Sequence, residues 1–119
     1  MAGGRNFRSL LVYQRATALA DDVREATLGW TSFDRWTLGV QLVRSADSIG
    51  ANIAEAFGRH HGADQRRLLH IARGSTYETE HWIERALARG LLSEPAFRTR
   101  ASEIGRMLNG LIRTRAARY

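Results

Sequence analysis

Apolar residues return every three or four positions along four long stretches of the chain, the spacing of one buried helix face. In the first stretch Val12, Ala16, Leu19, Ala20, Val23 and Thr27 fall on one stripe, while Gln14, Arg15, Asp21, Asp22 and Arg24 lie mainly off it. Leu38, Leu42, Ser45, Ala46, Ile49, Ile53 and Ala56 make the second stripe, and Leu68, Ala72, Ser75, Thr76, Thr79, Trp82, Ile83, Ala86 and Leu87 the third. Phe97, Ala101, Ile104, Leu108, Leu111 and Ile112 make the fourth. The pattern predicts helices over about 10–28, 34–57, 63–89 and 94–114.

The ends of these stretches carry matching signals. Ser9 is a candidate N-cap for the first helix. Thr31 followed by Asp34 resembles a capping box, with Asp in place of the usual Glu. Gly29, Gly58 and Gly90 stand where the first three helices should stop. The one proline, Pro95, sits near a helix start, where its missing N–H matters least. Gly39 and Gly50 fall inside the second helix at a cost of about 1 kcal/mol each against alanine, which points to close helix approach or a kink. No run alternates with period two, so no strand is predicted. Short connections between long amphipathic helices make consecutive helices antiparallel neighbours. The expected fold is therefore all-α, an up-down-up-down four-helix bundle in a single domain over residues 1–119.

Composition narrows the chemistry. A chain of 119 residues can bury a core without staples, and it has no cysteine, which removes disulfides, thiolate metal sites and cysteine nucleophiles. The N-terminus has no apolar signal segment and no uncharged run is long enough to span a bilayer, so a cytoplasmic protein that does not enter membranes is expected. Net charge is +6, and all 18 Lys-plus-Arg residues are arginine. Arginine favours planar, bidentate phosphate contacts, although GC-rich coding yields the same composition, so only clustering would be informative.

Several runs resemble one known family. Leu10-Leu11-Val12-Tyr13-Gln14-Arg15-Ala16 resembles an "L-x-V-W-Q-K-A" opening, and the twelve residues from Ser48 to Arg59 resemble "S-I-P-S-N-I-A-E-G-x-G-R". The ten residues from Leu69 to Glu78 resemble "L-x-I-A-R-G-S-x-x-E", and Met107-Leu108-Asn109-Gly110-Leu111-Ile112 resembles a closing "M-L-N-G-L-I". These are marks of the bacterial four helix bundle proteins, also called the 23S ribosomal RNA intervening-sequence protein or S23 family. The likeness is collinear from about residue 7 to 114, with Gly50 in place of a proline and Ala56 in place of a glycine. It implies an up-down-up-down bundle and a ring-like homopentamer. It also implies kinship with the accessory variability proteins of diversity-generating retroelements, which bind nucleic acid through a basic surface.

Few residues have the spacing of an active site. Asn52, Glu55, Arg73, Ser75 and Glu78 could approach one another across the second and third helices. They would form either a polar pocket or a buried network, with Arg73 paired to Glu55 or Glu78, that fixes helix register. Glu78 and His81 form one Glu-x-x-His, but a di-metal bundle needs two, and Glu55 and Glu103 do not complete the set. His60 and His61 are adjacent and lack a third ligand. There is no Walker-type phosphate loop, no Gly-x-Ser-x-Gly elbow and no His-Glu-x-x-His. No catalytic residue, metal site or cofactor is expected, and the chain is read as a non-enzyme.

The charge is uneven. Residues 57–73 carry +3 and residues 98–119 carry +5, against −2 for residues 9–56 and for residues 74–97. In an antiparallel bundle the start of the third helix lies near the end of the fourth. Arg59, Arg66 and Arg67 would thus converge with Arg113, Arg115 and Arg118, a cluster suited to a phosphate backbone by counterion release. The alternatives are a solvated basic end, or pairing with Asp21, Asp22, Glu80 and Glu84 of a neighbouring copy. Trp30, Phe33 and Trp36 gather at the other end and are either an oligomer contact or a lid over the core. The expectation from sequence is an oligomeric bundle, a pentamer by resemblance, whose basic surface contacts RNA or DNA. The alternatives are an assembly module without nucleic acid and, more distantly, a small-molecule or metal-binding bundle enzyme.

Overall fold

Each apolar stripe is buried against its neighbours in a computed structural model that describes residues 6–59 and 62–118, with residues 115–118 described by their backbone alone. Among the described residues there are four helical rods and no strand. Helix α1 spans Leu11–Thr27. Rod α2 opens with an α turn, Ser32–Asp34, passes through a π-helical turn, Arg35–Gly39, and continues as the α-helix Val40–Ala56. Helix α3 spans Gly62–Ala88 and helix α4 spans Ala96–Arg118. The α4 backbone therefore runs past the end that the apolar stripe marks.

The caps explain where the rods begin and end. Before α1 a 3-10 turn, Phe7–Ser9, is capped by Asn6, whose Oδ1 accepts the Arg8 N–H at 2.7 Å. Ser9 closes that turn and is not the α1 cap; Leu10 takes the position, with no side-chain hydrogen bond. Gln14 Nε2 donates to the Arg8 carbonyl at 3.0 Å and ties the turn to α1. The expected box at α2 forms: Thr31 Oγ1 accepts the Asp34 N–H at 3.4 Å and donates its proton to Asp34 Oδ2 at 3.0 Å. Gly90 ends the α3 connection at φ +74°, a conformation only glycine adopts without strain, and Leu91 N–H returns to the Ala86 carbonyl at 2.9 Å. After α2, Phe57 keeps a right-handed backbone at φ −83° and ψ −1°. The rod tightens there through Gly58 N–H to the Glu55 carbonyl at 3.1 Å.

The rods form a square, with α1 against α2 and α4, and α3 against α2 and α4. The core contains Leu19, Leu42, Ile49, Ile53, Leu69, Ile83, Ile104 and Leu108, all fully buried, each contributing about 1.5–3 kcal/mol by leaving water. Cross-helix bonds fix the registers. Ser48 and Ser75 share a hydrogen bond at 2.9 Å and Thr79 donates to Ser45 Oγ at 3.0 Å, so α2 and α3 run antiparallel. Arg73 Nη1 donates to Asn109 Oδ1 at 2.9 Å, while the backbone of Gly105 lies beside Thr76 and Tyr77, which sets α3 antiparallel to α4. Ion pairs Arg15–Glu103 and Arg100–Asp22 span α1 and α4. A side chain at Gly50 would place its Cβ 3.2 Å from Thr17 Cγ2, so this glycine serves close approach of α1 and α2. The helix runs through it without a break. The molecule measures 48 × 22 × 20 Å, and no described helix is long and apolar enough to cross a membrane.

Candidate nucleic-acid interface

The basic end is built by helix direction. With Arg73 level with Asn109, stepping one residue down α3 for each residue up α4 puts Leu69 opposite Arg113 and Arg66 and Arg67 opposite residues 115–116. Arg113 is exposed and makes no ion pair among the described residues. Arg67 is exposed and has only Asp64 one turn away at 3.5 Å, a weak surface pair. Arg66 is half-buried, and its Nε has no hydrogen-bond partner among the described residues. Arg59 donates from Nη2 to Glu55 Oε2 at 2.6 Å, and that hydrogen bond, with the carboxylate's charge, raises its pKa further. Arg59 is thus held by an acid of its own chain. The side chains of Arg115 and Arg118 lie outside the described residues, as do His60 and His61.

The five polar residues expected to form one network separate into four sets. Asn52 Nδ2 donates to the Ser48 carbonyl at 2.8 Å and to Ser48 Oγ at 3.0 Å, and Ser48 meets Ser75, so this group does join α2 to α3. Buried Ser45 and Thr79 extend it by one turn. Arg73 leaves it: it bonds Asn109 on α4, meets His70 Nδ1 at 3.0 Å and lies over the Tyr77 ring at 5.9 Å. Neither expected acid is its partner. The α2–α3 register sets Glu55 level with Leu68, more than a turn from Arg73, and Glu78 lies five residues on, about 140° around α3. Glu55 pairs with Arg59, and Glu78 accepts the Trp82 indole N–H at 3.2 Å. No polar pocket forms from these residues.

The aromatic trio also divides. Trp30 is 9% exposed and donates Nε1–H to the Leu91 carbonyl at 3.0 Å, with its ring beside Gly39; it is the core lid and not a surface contact. Phe33 at 76% and Trp36 at 72% stand out in solvent. Trp36 walls a groove of about 260 Å³ that also contains Thr27, Leu28, Gly39, Val40 and Val43. Periodicity could not find this groove, because it lies over the π turn, where the stripe slips. His81 packs edge-on against Trp82, and no group of three His, Cys, Asp or Glu residues able to hold a metal occurs among the described residues.

Residues 8–110 match the family model described as 23S rRNA-intervening sequence protein. The chain belongs to this family. A solved structure of a protein of unknown function from the S23 ribosomal protein family of Bacteroides thetaiotaomicron is similar at 25% identity. The match has a TM-score of 0.77 and covers 86% of this chain and 98% of that one. No curated protein matches the sequence. In this S23 family chain Gly50, which stands where the resemblance places proline, is buried in an unbroken helix. Ser48, Ser75, Arg73 and Asn109, all within the runs that carry the resemblance, are among the residues that set the helix registers, and Asn52 bonds Ser48.

Proposed function

We propose that the chain is a non-enzymatic, cytoplasmic bundle that assembles with copies of itself, in the pentamer its family resemblance implies, and contacts RNA or DNA through its basic end. The observation that carries this reading is the convergence of Arg66 and Arg67 with the C-terminal end of α4, where Arg113 is exposed and makes no ion pair among the described residues. Such cations bind phosphates by releasing condensed counterions, with little dependence on sequence. Membership of a family described by its association with a 23S rRNA intervening sequence supports RNA as the first nucleic acid to try. Fluorescence anisotropy with a ribosomal RNA fragment and with duplex DNA across a salt series tests it. Binding at low salt that weakens with added salt and with Arg66→Glu, Arg67→Glu and Arg113→Glu is expected; no binding at low salt contradicts it.

A second reading, an assembly or protein-interaction module without nucleic acid, is favoured by exposed Phe33 and Trp36 at the opposite end. A protein partner that survives nuclease treatment, together with arginine substitutions that leave it bound, would select that reading.

A further inference from the structure

The groove beside Trp36 is bordered by Arg24, Arg35 and Arg44, and none of the three makes an ion pair among the described residues. On the other side of α1 lies a cleft of about 420 Å³ with an apolar floor that includes Leu92 and Phe97 and a rim that includes Asp22, Glu25 and Glu94. Asp22 is held by Arg100 at 2.8 Å, whereas Glu25 and Glu94 have no ion pair among the described residues. One surface is therefore apolar with an unpaired basic rim, and the other is a more polar cleft whose rim carries two unpaired acids, Glu25 and Glu94, beside the Asp22–Arg100 pair.

The two surfaces cannot meet within one molecule. Helix α1 and its C-cap Leu28 send Arg24 and Leu28 to the groove and Asp22 and Ala26 to the cleft. Residues two apart point about 200° from each other on a helix, so the features lie back to back across α1. Exposed Trp36 and Leu28 line the groove, and exposed Phe33 lies three residues before Trp36 on α2; exposed apolar side chains grouped in this way mark an interaction site.

We propose that the Trp36 groove of one copy docks the acidic cleft of the next, a head-to-tail contact in which Arg35 and Arg44 face Glu25 and Glu94. This inference rests on the assembly part of the proposed function and names the surface that performs it. Because the two faces differ, each copy offers one of each, and the contact repeats until it closes into a ring or extends.

The test is the solution mass of the full chain by light scattering, with far-UV circular dichroism to verify helix content. The double variant Arg35→Glu/Arg44→Glu and the double variant Glu25→Arg/Glu94→Arg are each expected to weaken association at least tenfold. The quadruple variant, which exchanges the two rims, is expected to recover it. Either double variant keeping the wild-type mass overturns the proposal, as does a quadruple variant that stays dissociated. A wild-type monomer overturns this contact and the assembly reading together, leaving the groove to an acidic segment of another protein. Wild-type assembly that persists in the double variants overturns this contact alone.

Discussion

The Trp30 indole fills the space over Gly39 and hydrogen-bonds the connection before α4 through Leu91. Trp30→Ala would leave a cavity and an unpaired carbonyl, and we expect a loss of about 3 kcal/mol in urea unfolding. Trp36→Ala, an exposed side chain at the same end, is expected to cost less than about 0.5 kcal/mol in a monomer. Sequence could gather these aromatics but not sort them, since Trp30 lies in a loop, where no periodicity separates inside from outside. Arg73 was hidden for a similar reason. Its partner Asn109 is on another helix, and only the α3–α4 register brings them together. Glu80 offers a pH test. Its pKa is raised, first by burial and then by the charge of Glu84, with Arg106 opposing. The ionised form is thus disfavoured in the fold. Glu80→Gln should raise the thermal midpoint at pH 7, above the ordinary carboxylate range, because it removes a group whose ionised form the fold disfavours. That gain should shrink as pH falls through the raised pKa toward the ordinary value of 4.5, below which both states are protonated. A gain that grows on acidification contradicts this account.

At the scale of the element, the four helices were legible because each carries a stripe several turns long, and their directions followed from short connections. The π turn at Arg35–Gly39 was not, being shorter than the window over which a stripe is recognised. Helix-interior glycines give a paired prediction. At Gly74 and at Gly110 an added Cβ would meet nothing within 4 Å, so alanine there should stabilise by about 0.5–1 kcal/mol through helix propensity alone. At Gly50 the same gain is opposed by the 3.2 Å approach to Thr17, and overpacking of about 1–3 kcal/mol wins. Chemical denaturation of the three single variants checks the order: Gly74→Ala and Gly110→Ala above wild type, Gly50→Ala below it. Equal effects at all three would mean that α1 and α2 do not approach closely at Gly50.

For the whole molecule, the basic end could be anticipated from topology, since antiparallel neighbours bring the start of α3 to the end of α4. What sequence could not supply was which arginines have acids of their own. Among the described residues Arg59 and, weakly, Arg67 do, whereas Arg113 does not. Nor could it show the opposed groove and cleft on α1, which depend on side chains two residues apart pointing to opposite sides. The most direct measurement of the central claim is the slope of log binding constant against log salt for a ribosomal RNA fragment. It should be made on the wild-type chain and on the variant Arg66→Glu/Arg67→Glu/Arg113→Glu. Each phosphate that an arginine no longer neutralises lowers the slope by about 0.7–0.9, so the variant is expected to lose about 2–3 from the wild-type slope and to bind more weakly at every salt concentration. A variant with the wild-type slope and affinity would contradict a nucleic-acid interface at the meeting of α3 and α4.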